Sequence, residues 1–214
     1  LIFTEWHMSI VKNALYARGR PVIGEGLPSY VIAEIGTNHN QDFDLAKQMV
    51  QQIAQAGADC AKFQIYEPDE IVNAQVKASE YGLEALYGDV SAQEMFRNHL
   101  QTPKEWFPRL VEECHQHNLD CAVTIHGENG LAWVMDQEVD LIKIASMDHT
   151  NTPFLQSLVN VVNVPILISF GMAELDDIEK AAQVLAQHTL GFAMFHCVAI
   201  YPPEPEELRL HNIV

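Results

Sequence analysis

The chain has 214 residues, of which 48% are apolar and 19% are charged. This length and composition suit one sizeable globular domain and exclude a mainly disordered chain. Twelve Lys and Arg residues stand against 29 Asp and Glu residues, for a net charge of −17. Nucleic acids and anionic membrane surfaces are therefore poor partners, and an anionic substrate needs a local positive site.

The sequence shows no feature of a membrane or secreted protein. No apolar run approaches the ~20 residues that a membrane helix needs, and the first 30 residues lack the pattern of a secretory signal. The cysteines form no zinc-type pair, so we expect reduced thiols in or near a core. They are Cys60, Cys114, Cys121 and Cys197. Together these observations favour a cytoplasmic protein.

Turn-forming residues cluster at 18–21 and 24–28, and they predict an arm or hairpin over residues 1–29. From Tyr30 onward, short apolar runs alternate with helical patterns. The runs are short enough for strands, and their near-continuous apolarity is typical of strands buried on both faces of a parallel sheet. They cover residues 30–35, 59–65, 119–125, 140–145, 165–170 and 191–197.

Helical patterns fill most of the stretches between these runs. An apolar residue recurs at every fourth position behind Asp44, which we take as the N-cap of a helix over residues 44–56. A second helix is expected over 103–118, with Pro103 in its first turn. Residues 66–102 exceed one crossover and predict an insertion. Further helices are expected over residues 127–137, 152–162 and 174–188.

The alternation indicates a parallel α/β sheet, either open and doubly wound or closed as an eight-stranded barrel. No Gly-x-Gly-x-x-Gly follows the first strand, which weakens the nucleotide-binding alternative. Polar residues lie near the strand ends, where a barrel gathers its site. We therefore predict an α/β fold of the (β/α)8 TIM-barrel type over residues 30–214, with about six of the eight βα units. The polar residues are Glu34, Lys62, Gln64, Thr124, Lys143, Ser146, Ser169 and His196.

Lys62 and Lys143 are the strongest indication of a functional site, because each lies inside an apolar run. A buried ammonium group is costly unless it is paired. Each lysine therefore pairs with a carboxylate or extends to a strand end, binds a substrate anion, or forms a Schiff base. Lys62 and Gln64 share one strand face. Two lysines with nearby hydroxyl groups favour anion binding.

Other polar residues allow several roles. Glu34 could pair with Lys62, orient a sugar hydroxyl or move a proton. Ser146 and Ser169 open loops that could cradle a phosphate. A lone histidine such as His39 is more often a structural hydrogen bonder than a ligand. Two further histidines flank a helix end and are expected to be solvated. They are His115 and His117.

Several segments, in order, resemble the sialic acid synthase family, which includes the N-acetylneuraminate, legionaminate and pseudaminate synthases. The resemblance covers residues 30–214. The segments are Tyr30–Asn40 (YVIAEIGTNHN), Ala56–Gln64 (AGADCAKFQ), Leu141–Asp148 (LIKIASMD), Ile168–Met172 (ISFGM) and Phe195–Pro202 (FHCVAIYP), followed by Leu208-Arg209-Leu210.

The resemblance implies a homodimeric barrel enzyme that condenses phosphoenolpyruvate with an N-acyl amino sugar such as N-acetylmannosamine. A divalent metal, Mn²⁺ or Mg²⁺, would polarise the sugar aldehyde. The implied phosphoenolpyruvate pocket comprises Lys62, Thr124, Lys143, Ser146 and Ser169. The implied sugar-side and proton-handling groups are Glu34, Gln64, Asp148 and Tyr201. Of these nine residues, the expected catalytic ones are Glu34, Lys62, Lys143 and Asp148.

The chain departs from the family pattern in places. Asp148 stands where a longer Glu is usual, Ile125-His126 replaces Pro-Phe, and Val198-Ala199 replaces a polar pair. The family's metal-binding histidines and antifreeze-like domain are expected beyond Val214, so no metal ligand is assigned here. Six strands would leave a barrel open, so a chain of this length is expected to aggregate or to complete itself with a partner.

Two other functions stay open. One is a non-catalytic barrel relative that binds an acidic metabolite or a protein partner. Two observations motivate it: two barrel strands are expected to be missing, and Ala199 stands where the family has a polar residue. The other, weaker alternative is a Schiff-base aldolase that uses Lys62 or Lys143.

Overall fold

A computed structural model describes residues 14–200 and 202–213. Strands and helices alternate along this part of the chain, as the sequence predicts. Its residues divide into two units. One unit spans residues 30–140, and the other combines residues 14–29 with residues 141–213. The division into an arm over residues 1–29 and a barrel domain over residues 30–214 stays a prediction.

Eight strands occur within the described residues, and six of them lie within two residues of the bounds that the apolar runs predict. The strands are β1 (Ala14–Ala17), β2 (Arg20–Gly24), β3 (Ile32–Gly36), β4 (Cys60–Ile65), β5 (Asp120–Ile125), β6 (Leu141–Ile144), β7 (Ile166–Ser169) and β8 (Phe192–Phe195). The α-helices are α1 (Phe43–Gln55), α2 (Pro68–Ile71), α3 (Glu84–Tyr87), α4 (Ala92–Met95), α5 (Phe107–Gln116), α6 (Gly127–Val134), α7 (Thr152–Val161) and α8 (Leu175–Leu185).

The unit over residues 30–140 is built on the parallel strands β3, β4 and β5, in that order. Glu34 lies opposite Lys62, and Gln64 lies opposite Thr124. The register shifts between Glu34 and Gly36, which marks a bulge in β3. Every residue of β5 is buried, which agrees with the expectation from its continuous apolarity.

Two helix starts differ from the sequence expectation. The N-cap of α1 is Asp42, whose carboxylate accepts a hydrogen bond of 3.0 Å from the backbone N–H of Leu45. Asp44 therefore lies in the first turn of the helix and is not its N-cap. Similarly, Pro103 precedes a short 3₁₀ turn, and α5 itself begins at Phe107.

The sequence predicts a long excursion over residues 66–102, and in the structure the segment between β4 and α5 covers residues 66–106. Short helical turns make up most of it, including a π-helical turn over Phe96–Leu100. Near its start, Glu70 accepts hydrogen bonds from the backbone and side-chain nitrogens of Asn129, at 3.3 and 3.0 Å. Near its end, the side-chain amide of Gln41 donates to the carbonyl groups of Arg97 and Gln101, at 2.8 and 3.1 Å. Side chains outside the excursion therefore hold both of its ends.

The second unit contains an antiparallel hairpin of β1 and β2 and the parallel strands β6, β7 and β8. Helices α7 and α8 pack against each other. All four residues of β6 and of β7 are buried, and Lys143 in β6 is 9% exposed. The lysine thus lies in the core that the sequence pattern predicts.

Among the residues that the structure describes, no helix is long and apolar enough to cross a membrane. The cysteines, all within this part of the chain, are free thiols, and three of them are buried. Burial raises the pKa of the Cys60 thiol, and a hydrogen bond with Cys114 together with burial raises the pKa of Cys121. These buried thiols are therefore held in the neutral form.

Candidate functional site

In the unit over residues 30–140, Lys62 is the centre of a connected polar group. Its ammonium group forms an ion pair with Glu34 and donates a hydrogen bond of 2.8 Å to Oγ1 of Thr124. The side-chain amide of Gln64 donates to Oε1 of Glu34 at 3.3 Å. The side chain of Lys62 is 14% exposed, whereas that of Glu34 is 43% exposed. Lys62 is thus anchored inside the strands, and Glu34 opens to solvent.

Gly36 leaves the space that this group occupies. Its φ of +55° lies in the left-handed region, and a Cβ atom there would lie 2.9 Å from Oε1 of Glu34 and 3.3 Å from Nε2 of Gln64. A side chain at position 36 would therefore strain the backbone and displace the Glu34 carboxylate. No pattern in the sequence marks this glycine as special, although it lies two residues after Glu34.

The contacts of Lys62 bear on its chemistry. Its ion pair with Glu34 is the pairing that the sequence analysis named as one possibility, and it is confirmed. An ammonium group held in this way has no lone pair with which to attack a carbonyl carbon. The arrangement instead suits electrostatic binding by Lys62 and proton exchange at the exposed Glu34 carboxylate.

A second polar group surrounds Lys143 in the other unit. Its ammonium group donates to the hydroxyl of Ser169 and, at 2.7 Å, to the carbonyl of Ile144. The Cys197 thiol also donates to Ser169 Oγ, at 3.2 Å. A hydroxyl oxygen accepts two hydrogen bonds, so the Ser169 hydrogen is left to be donated elsewhere. Lys143 Nζ also lies 5.6 Å from the centre of the Phe195 ring.

Ser146 follows β6 in a 3₁₀ turn that also contains Asp148. Its hydroxyl oxygen accepts a hydrogen bond of 3.0 Å from the backbone N–H of Gly171. A Cβ atom at Gly171 would lie 2.9 Å from Ser146 Oγ, so the contact depends on a glycine. Asp148 is half-buried, and Tyr201 lies outside the described residues.

His39 is a structural hydrogen bonder, as the sequence analysis favoured. Its Nδ1 accepts the backbone N–H of Gln41 at 3.1 Å, so the ring hydrogen lies on Nε2 and is donated to Thr102 Oγ1 at 2.9 Å. The ring is fully buried, and burial lowers its pKa. Residues 40 and 41 next to it both have positive φ, at 49° and 55°.

His115, which the sequence predicts to be solvated, is 26% exposed and is paired with a buried carboxylate. Its Nε2 lies 2.8 Å from Oδ2 of Asp140, a buried carboxylate that also accepts the backbone N–H of Cys121 at 2.8 Å. The pair joins the end of α5 to the residue just before β6. The position of Asp140 at a strand start was the available signal in the sequence. His117, by contrast, is 37% exposed and lies 3.3 Å from Glu113.

No group of three or more His, Cys, Asp or Glu side chains that could hold a metal ion occurs among residues 14–200 and 202–213. The described residues therefore do not offer a site for the divalent metal that the resemblance implies.

Parallel strands separated by helices, with lysine-centred polar groups on the strands of each unit, define an α/β protein of the TIM-barrel type. A solved N-acetylneuraminic acid (sialic acid) synthetase from Leptospira borgpetersenii serovar Hardjo-bovis matches with a TM-score of 0.78 and 26% identity, over 94% of this chain and 65% of that chain. A DAHP synthase from Thermotoga maritima, at 14% identity and a TM-score of 0.59, has a similar fold. The predicted fold class is confirmed.

The chain belongs to the NeuB family, whose model matches residues 49–214. An N-acetylneuraminate-9-phosphate synthase from Drosophila melanogaster is 30% identical over 185 residues, which are 86% of this chain and 49% of that protein. An N,N'-diacetyllegionaminic acid synthase from Legionella pneumophila is 29% identical over 87% of this chain and 53% of that protein. The resemblance found in the sequence is confirmed, and the chain spans about half the length of the curated relatives that it matches.

Proposed function

We propose that this chain carries substrate-binding and catalytic residues of a synthase that condenses phosphoenolpyruvate with an N-acyl amino sugar of the N-acetylmannosamine type. The product would be a nine-carbon 2-keto-3-deoxy sugar acid, with phosphate released. The observation that carries the proposal is the buried Lys143, whose ammonium group meets Ser169 at the end of β7. Membership of the NeuB family supports the same reaction class.

The Lys143 group is suited to an anion. Phosphoenolpyruvate carries a phosphate and a carboxylate, and charge-assisted hydrogen bonds to such groups are about twice as strong as neutral ones. Lys143 supplies the positive charge, and the free hydrogen of Ser169 supplies a donor. A chain of net charge −17 needs such a local site to hold an anionic substrate. Ser146 would add to the same pocket.

The Lys62 group would serve the same reaction in two ways. Lys62 and Thr124 would bind phosphoenolpyruvate, as the resemblance implies, while Glu34 and Gln64 would face the sugar. The reaction forms a carbon–carbon bond between the methylene carbon of phosphoenolpyruvate and the sugar aldehyde carbon. The aldehyde oxygen takes up a proton, water supplies the keto oxygen, and phosphate leaves. The exposed Glu34 carboxylate is the described group best suited to proton exchange.

Asp148 and Tyr201 complete the proposed set on the sugar side. We also propose the homodimer, the cytoplasmic location and the Mn²⁺ or Mg²⁺ requirement that the resemblance implies. The metal would act as a Lewis acid on the sugar aldehyde. Because the described residues offer no ligand group for it, no step is assigned to it.

The test uses the complete natural protein and measures phosphate release from phosphoenolpyruvate with N-acetylmannosamine and Mn²⁺. Lys143→Met should lower kcat/KM for phosphoenolpyruvate by about 100-fold, the effect of losing about 3 kcal/mol of charge-assisted hydrogen bonding. The matched control is Lys180→Met, which removes an exposed lysine of α8 and should leave kcat/KM unchanged.

Other outcomes would overturn the proposal. Calorimetric binding of phosphoenolpyruvate without turnover with any N-acyl amino sugar would establish a non-catalytic relative. Labelling of Lys62 or Lys143 by borohydride in the presence of a keto acid would establish Schiff-base chemistry instead.

A further inference from the structure

We propose that His149 is a positioning residue that fixes the contact between Ser146 and Gly171, and thereby sets the affinity for phosphoenolpyruvate. The link to phosphoenolpyruvate rests on the proposed function above. The positioning itself rests on the contacts of one buried ring, which lies directly after the 3₁₀ turn of Ser146.

The two nitrogens of His149 differ in their partners. The residue is 7% exposed, and Nδ1 is hydrogen-bonded to the carbonyl oxygen of Ser146. A carbonyl oxygen only accepts, so Nδ1 carries a hydrogen. Among the described residues, Nε2 has no hydrogen-bond partner, and it lies 4.0 Å from Oδ2 of Asp177. A buried polar atom without a hydrogen-bond partner is rare in native proteins, so the unpaired Nε2 of His149 points to a role for this ring.

Asp177 is held in place at the start of α8. Its carboxylate accepts the backbone N–H of Glu174 at 3.3 Å, within a capping box that the two residues form. The same oxygen faces Nε2 of His149. One ring nitrogen is thus bonded to the Ser146 carbonyl, and the other lies 4.0 Å from a carboxylate oxygen of α8. His149 therefore spans the gap between the Ser146 turn and helix α8.

The ring of His149 touches both sides of the Ser146–Gly171 contact. On one side it binds the Ser146 carbonyl, and on the other it packs edge-on against Phe170, with ring centres 5.7 Å apart. Phe170 immediately precedes Gly171, whose N–H binds Ser146 Oγ. The contact is closely packed, because a Cβ atom on Gly171 would lie 2.9 Å from Ser146 Oγ and 3.5 Å from the Ala199 Cβ. The ring therefore contacts the residues on both sides of this hydrogen bond and holds them in register.

The test compares His149→Phe with His188→Phe in the complete natural protein. Both replacements keep a ring and remove the nitrogen atoms, and His188 is a matched control because it is also buried and bonds the Val164 carbonyl, at 2.8 Å. We expect His149→Phe to raise KM for phosphoenolpyruvate about ten-fold, with kcat and KM for the amino sugar nearly unchanged. We expect no change in KM from His188→Phe. His149→Asn, whose side-chain amide replaces Nδ1–H, should restore most of the affinity.

Amide hydrogen exchange tests the positioning without relying on activity. The Gly171 N–H should exchange about ten-fold faster in His149→Phe than in wild type or in His188→Phe. Unchanged exchange at Gly171 would overturn the positioning role, as would equal effects of the two substitutions. If Gly171 exchanges faster in His149→Phe but the wild-type protein does not bind phosphoenolpyruvate, the positioning is upheld and the proposed function is overturned. His149→Leu, which also removes both ring nitrogens, serves for both measurements if His149→Phe does not fold.

Discussion

At the scale of the residue, the two strand lysines differ in the partners that their ammonium groups contact. Lys62 meets a carboxylate, Glu34, and is less deeply placed than Lys143. Lys143 donates to a hydroxyl and a backbone carbonyl inside a fully buried strand. The first arrangement joins a charge to an exposed carboxylate, and the second holds a charge against neutral oxygen atoms in the core.

The space beside the Glu34 carboxylate depends on Gly36, and a substitution at this glycine tests that dependence. Gly36→Ala should lower the free energy of unfolding by about 2 kcal/mol, because it adds a collision with Glu34 to the strain of a positive φ. The control is Gly57→Ala, whose φ of +80° brings the same kind of backbone strain but whose Cβ meets nothing within 4 Å. It should cost about 1 kcal/mol.

Urea unfolding of both variants measures the difference. Equal destabilisation by the two substitutions would show that the Glu34 carboxylate moves aside freely, and that Gly36 does not position it.

At the scale of the element, the sequence predicts strands better than helix starts. A run of apolar residues marks a buried strand directly, because every side chain of β5 must be accommodated in a core. The start of α1 depends instead on which of two nearby aspartates has an extended backbone, and that is decided by the turn before it. Asp42 has φ −106° and ψ 112° and caps the helix.

Asp42→Ala should therefore lower the free energy of unfolding by about 1 kcal/mol, because the Leu45 N–H loses its side-chain acceptor. Asp44→Ala, the matched control from the first turn of the same helix, should cost about 0.3 kcal/mol through the helix dipole alone. Thermal or urea unfolding distinguishes them. A larger effect from Asp44→Ala would restore the assignment that the sequence suggested.

At the scale of the whole molecule, stability should depend on pH below neutrality. Burial lowers the pKa of His39 below its ordinary value of 6.5, so the unfolded chain binds this proton more readily than the folded protein does. The resulting stability is present above about pH 6.5 and is lost as the pH falls through that value toward the folded-state pKa. For this one group the slope is at most about 1.4 kcal/mol per pH unit.

Unfolding free energies measured at pH 7.5 and 5.5 should show this loss in wild type, and His39→Gln should reduce it. At lower pH the ion-paired and hydrogen-bonded Glu113, whose pKa is lowered, adds a loss of the same sign as it becomes protonated. An identical pH dependence in wild type and His39→Gln would show that the ring titrates freely in the folded protein.

Much of the fold and part of the site follow from the sequence, and the reasons are physical. The fold class and the family follow from alternating patterns and ordered motifs, which are local properties of the chain. The Glu34–Lys62 pair could be named because strand alternation limits what a buried lysine reaches. The His115–Asp140 pair and the His149–Asp177 approach could not, because each joins a helix residue to a residue outside any strand, so no strand pattern places the two together. The roles of the nine proposed site residues stay predictions.

The excursion over residues 66–106 is tied near both ends by side chains that do not belong to it, Asn129 at its start and Gln41 at its end. Closing a loop whose ends are already fixed costs little more when the loop lengthens, about 0.6 kcal/mol for each doubling. Residues added beside an exposed position such as Leu86 therefore cost little loop-closure entropy, whereas Ala78, Ala92 and Met95 are fully buried and belong to the core. In evolution and in engineering, an insertion at such an exposed position would add new surface to this unit at little cost in loop-closure entropy.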